Sequence, residues 1–158
     1  MRPVLHHAIT LLALLVSAVL PVWATDDPKA FVTAIYQNFI GANGILIDSP
    51  KARQVITPGL MKLIDADAKA AARRGQPPRL DSNPFIDAQD SDIKSFTVEV
   101  QDVGRARAVA TVRFKNEAAI NDGPVILTLV KSADGWRIDD FRGDSGSLRK
   151  YLSRKPKR

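Results

Sequence analysis

"PVILTLVKSADGWRIDDF", residues 124–141, decides the fold. Val125, Ile126, Leu127, Leu129 and Val130 make its first half apolar on both parities, the pattern of a central strand. Asp134-Gly135 is a hairpin signal. The strand after it carries Trp136, Ile138 and Asp140 on one parity.

Working upstream, the period of two continues. Ala106, Ala108, Ala110, Val112 and Phe114 alternate with Arg105, Arg107, Thr111, Arg113 and Lys115, and Phe96, Val98 and Val100 alternate with Thr97, Glu99 and Gln101. Before about residue 92 the period is helical. "DDPKAFVTAIYQNFIG" (26–41) places Phe31, Val32, Ile35, Tyr36 and Phe39 on one face, with Asp26 or Thr25 as the expected cap. Pro50 opens a short helix. Thr57-Pro58 opens a longer one, with Leu60, Leu63, Ile64 and Ala68 as its stripe and Gly75 as its stop. Helices followed by an antiparallel meander predict an α+β domain, its helices on one face of a curved sheet. The other face is expected to carry Glu99, Arg105, Arg107, Arg113, Arg137 and Asp139, a solvated set of charges.

The two ends read differently. "AITLLALLVSAVLPV" (8–22) is a 15-residue apolar run after Arg2, and Val22-Trp23-Ala24 supplies small residues at −3 and −1. That is the signature of a signal peptide cleaved after Ala24, giving a soluble periplasmic or secreted protein. Loss of 24 of the 158 residues leaves 134, one domain. At the other end, "RKYLSRKPKR" (149–158) holds six basic residues, whereas 25–148 has 16 basic against 17 acidic. A basic tail on a neutral body suits an anionic surface such as lipid headgroups; export argues against nucleic acid. The organisation expected is therefore 1–24 signal peptide, 25–148 domain and 149–158 basic tail.

Composition excludes chemistry. Both histidines, His6 and His7, lie in the signal segment, and there is no cysteine. The mature chain then has no histidine base, no cysteine nucleophile and no ordinary zinc or haem ligand set. "GDSGS" (143–147), Ser91-x-x-Lys94 and Ser147-x-x-Lys150 match protease and penicillin-binding motifs in letters alone. "DSNPFIDAQDSD" (81–92) has oxygens at five of the calcium-loop positions but Ile86 where the turn glycine belongs. Its side chains are expected to hold a long connection by bonding nearby amides, with Phe85 and Ile86 plugged into the core. No metal site and no cofactor are expected.

"LIDADAKAA", "PFIDAQD" and "DGWRIDD" resemble a family of small exported proteobacterial domains of unknown function, similar to the cone-shaped nuclear-transport-factor-2-like superfold. The resemblance implies helices wrapped on a bent sheet around a pocket, with no catalytic residues to carry over. The sequence reading favours a non-enzymatic binding or interaction module for a small ligand or an envelope protein. Gln89, Asp90 and Trp136 are its candidate ligand contacts. The alternative is a small hydro-lyase or isomerase with Asp140 as an inward base and Tyr36 as hydrogen-bond donor. A third reading is an inhibitor or assembly partner docking through the sheet face. A pocket filled by Phe31, Phe39 and Trp136 favours the module.

Overall fold

The structure, a computed structural model, describes residues 25–41, 44–89, 93–104, 106–116 and 123–154. The expected signal peptide, Asp90 and Arg105 lie outside them. The fold is α+β. Helices α1 (Pro28–Gln37), α2 (Pro50–Val55) and α3 (Pro58–Arg74) precede an antiparallel meander, β1 (Ile93–Gly104), β2 (Arg107–Asn116), β3 (Val125–Ser132), β4 (Gly135–Gly143) and the two-residue β5 (Gly146–Ser147). A last helix, α4 (Leu148–Ser153), follows at once. The first five residues of the basic stretch 149–158 thus belong to a helix, and Leu152 is buried.

The helices begin where the local chemistry dictates. Each of α1, α2 and α3 has proline in its first turn, where the missing N–H has no intrahelical partner anyway. Ser49 and Thr57 cap α2 and α3 through their hydroxyls. The cap of α1 is Asp27, one residue past the expected Asp26, and it accepts from the Lys29 N–H. Gly75 ends α3 in the left-handed conformation (φ 61°), which costs glycine little.

In the sheet, rows of inward side chains cross the strands. Val100, Ala110, Leu127 and Phe141 form one row; Ala108, Leu129 and Ile138 form the next. Ala108 and Ala110 of β2 are fully buried, and α1 contacts β1 and β2. Glu99, Arg107 and Arg113 are exposed on the opposite face. Arg137 and Asp139 are not part of that open face: Arg137 donates to the Gln54 carbonyl of α2, and Asp139 turns to Thr57 and Arg149.

The register explains why. Thr128 pairs with Asp140 and Leu129 with Ile138, leaving Asp139 as an extra residue in β4. Such a bulge shifts the alternation by one and bends the strand. Phe141 therefore takes the inward position that strict alternation gives Asp140. The bulge sits where the α2–α3 link reaches the sheet, with the Thr57 N–H donating to the Ile138 carbonyl at 2.9 Å.

Candidate functional site

Large buried side chains lie between helices and sheet. Phe31, Tyr36 and Phe85 are inaccessible to solvent, and Phe39, Phe141 and Trp136 nearly so. Aromatic rings form a continuous stack: Phe96 and Phe114 lie 5.9 and 5.6 Å from Tyr36, Tyr36 lies 5.6 Å from Phe39, Phe39 5.7 Å from Phe85, and Phe85 meets Phe141 edge-on at 4.9 Å. Edge-on and tilted rings at such spacings are favourable beyond the area they bury.

The two residues expected to do acid–base chemistry are not brought together. Tyr36 sits inside the aromatic stack and donates to the Phe85 carbonyl at 2.7 Å. Burial pushes its phenol well above the ordinary tyrosine value. Asp140, turned away from Ile138 and Phe141 by the bulge, accepts from the Ser147 hydroxyl at 2.6 Å and from the Arg149 N–H at 2.8 Å. It holds the start of α4.

The expected ligand contacts are likewise spread out. The Trp136 indole donates to the Asp26 carbonyl at 2.9 Å and anchors the entry to α1, with the Lys131 ammonium 6.0 Å above its ring. Gln89 is exposed and donates to the Asp81 carbonyl at 3.3 Å.

The oxygens of the 81–89 stretch fold the chain. Asn83 donates to the Ile45 carbonyl and accepts from the Phe85 N–H. Asp87 adopts φ 50°, a left-handed conformation uncommon outside glycine. Its carboxylate accepts from the Asp144 N–H at 3.0 Å and lies against Gly143, where a Cβ would strike it. Gly143 is needed there for close approach. Among the described residues no cluster of three or more acidic side chains is arranged to hold a metal ion.

A cleft lies at the corner where residues 79–87, the β4–β5 turn and α4 meet. The corner is built on two carboxylates. Asp67 on α3, 4% exposed, accepts from the Arg79 Nε at 2.5 Å and from the N–H groups of Arg79 and Leu80 at 2.7 and 3.2 Å. Burial alone would raise its pKa, but these hydrogen bonds outweigh it and hold the carboxyl below its ordinary value. The Arg79 guanidinium also donates to the carbonyls of Leu152 and Arg154, and stacks over Tyr151 at 5.5 Å. Asp139 does the same on the other side, accepting from Thr57 at 2.9 Å and Arg149 at 2.5 Å.

Between these supports lies a cleft of about 210 Å³, with Leu80, Pro84, Phe141 and Leu148 as apolar wall. Its polar lining is partly committed: Arg79 to Asp67, Ser147 to Asp140, Asp87 to Asp144. The Asp81 carboxylate and the Ser82 and Ser145 hydroxyls line it without a partner among the described residues. The cleft and the Asp67 hub escape sequence reading because Asp67 interrupts an apolar stripe. Its one signal is a lone acid at a stripe position, three residues after Ile64 and four before the buried Ala71.

No family model and no curated protein matches the chain. Among solved structures it is similar to a phospholipid-binding protein from Ralstonia solanacearum, determined in complex with a phospholipid, at 14% identity and a TM-score of 0.35. The match covers 77% of this chain and 66% of that one. A likeness of that depth carries neither fold detail nor function across. Among the described residues no helix is long and apolar enough to cross a membrane.

Proposed function

We propose that the chain is an exported, non-enzymatic binding module on a nuclear-transport-factor-2-like cone, taking a small ligand at the α4 corner rather than inside the cone. One observation carries this: the interior, where an enzyme of this shape would hold substrate, is occupied by Phe31, Tyr36, Phe39, Phe85 and Trp136, each at most 6% exposed. Tyr36 is fully buried, and the Asp140 carboxylate is engaged by the Ser147 hydroxyl and the Arg149 N–H. The corner cleft is smaller than the roughly 300–1,000 Å³ typical of small-molecule pockets. It therefore suits a headgroup-sized part of a ligand, with hydrogen-bond donors facing Asp81, Ser82 and Ser145. Export rests on the sequence of residues 1–24.

Native mass spectrometry of the mature protein purified from periplasm tests this reading. The wild type is expected to carry a small-molecule adduct that Asp81→Trp, which fills the cleft from an exposed position, loses. Tyr36→Phe should retain it. Loss of the adduct in that variant and its retention in Asp81→Trp would place the ligand in the interior and contradict the proposal.

A further inference from the structure

The cationic side chains near α4 divide into two sets. Arg79 and Arg149 are consumed internally by Asp67, Asp139 and backbone carbonyls. Arg142, Lys150 and Arg154 are exposed, and none has a carboxylate partner among the described residues. These three surround a groove of about 310 Å³ beside the cleft, on the far side of the Ser145–Ser147 turn. No carboxylate lines this groove, whereas the neighbouring cleft has Asp81 and Asp87. The small residues of "GDSGS" form the ridge between the two.

We infer that this groove is the surface by which the protein docks on a membrane leaflet of anionic phospholipid. Four observations favour that occupant over a single soluble anion. All three cations are exposed, so they face an extended array of charge rather than enclosing one ion. The sequence continues past Arg154 with Lys155, Lys157 and Arg158, more positive charge than one phosphate calls for. Tyr151, 43% exposed and lining the same groove, offers an aromatic body with a polar tip, the residue type that settles at headgroup depth. The rest of the mature chain is near neutral, 16 basic against 17 acidic over 25–148. The attraction is therefore concentrated at one corner and orients the molecule. The inference rests on the α4 corner being the binding end, and adds a docking face next to its ligand cleft.

The test is co-sedimentation of the mature chain, residues 25–158, with vesicles of phosphatidylglycerol and phosphatidylcholine at low ionic strength. Each cation near an anionic surface contributes about fivefold in affinity. Arg142→Gln/Lys150→Gln is therefore expected to bind about 25-fold more weakly, with an unchanged melting temperature because both side chains are exposed. Arg107→Gln/Arg113→Gln, an equal loss of charge on the open sheet face, should bind as the wild type does. Three results would each overturn the inference: equal loss in the sheet-face control, which makes net charge the cause; wild-type binding by the groove variant, which leaves residues 155–158 as the sole contact; and full competition by millimolar inorganic phosphate, which makes the groove a soluble-anion site. Asp81→Trp separates the two proposals. It should lose the adduct yet keep vesicle binding, so that either can fail alone.

Discussion

Two regions of this protein are closed by opposite means. The interior is packed with aromatic rings, from Phe96 and Phe114 through Tyr36, Phe39 and Phe85 to Phe141. The α4 corner is held by carboxylates: Asp67 accepts from N–H groups of Arg79 and Leu80, and Asp139 accepts from the Arg149 guanidinium and the Thr57 hydroxyl. Packing of that kind leaves Tyr36, Phe39, Phe85 and Phe141 almost inaccessible to solvent. The corner, by contrast, carries a cleft and a groove on either side of the Ser145–Ser147 turn.

The largest expected effect comes from breaking the interior. Phe85→Ala should destabilise by about 3–5 kcal/mol, since it removes a fully buried ring packed on Phe39 and Phe141. Urea unfolding measures it, and a loss below about 1 kcal/mol would mean the stack is not the core. Breaking the corner should cost less. Asp67→Ala removes the carboxylate from a hub whose partner Arg79 is still 21% exposed at its side chain, so about 2–3 kcal/mol is expected.

The corner also has a pH signature, on the acid side. The Asp67 carboxyl is held below its ordinary value in the folded chain, so the folded state releases its proton more readily than the unfolded one. Its contribution is fully present above the unfolded value near about 4 and is lost as pH falls through the lower folded value. The stability gap between wild type and Asp67→Asn should therefore narrow below about pH 4, and a gap that widens on acidification would contradict the hub.

Tyr36→Phe sharpens the same contrast from inside. It preserves the ring but leaves the Phe85 carbonyl without its donor, for an expected cost of about 1–2 kcal/mol. Smallest of all, Arg53→Ala should leave the urea midpoint nearly unchanged. Its pair with Asp65 is bidentate at 2.8 and 3.0 Å but lies in solvent, 50% and 37% exposed at the two side chains.

Much of the interior was legible in the sequence because it follows periodicity. The stripe Phe31, Val32, Ile35, Tyr36, Phe39 and the alternation of β2 each report one buried face. Thr57-Pro58 and Gly75 mark α3 because caps are local chemistry. The corner was not legible, because its determinants are exceptions to those periods. Ala68 was expected in the α3 stripe and is exposed, while Asp67 beside it is buried by a partner twelve residues away. Asp140 was expected to point inward; a bulge at Asp139, set by Thr57 and Arg149 from distant parts of the chain, turns it out. The reading of the 81–89 oxygens as loop-holding matches their observed bonds, though the reach of Asp87 to the β4–β5 turn has no local signal.

The contrast between a closed interior and an open corner is tested most directly by titrating isotope-labelled protein, residues 25–158, with a small apolar probe, indole, and following backbone amide resonances. The account predicts saturable shifts confined to residues 80–87 and 141–151, around the cleft, with Phe31, Tyr36 and Ile138 unmoved. Saturable shifts at Phe31, Tyr36 and Ile138 would show that the interior admits a ligand and would contradict it.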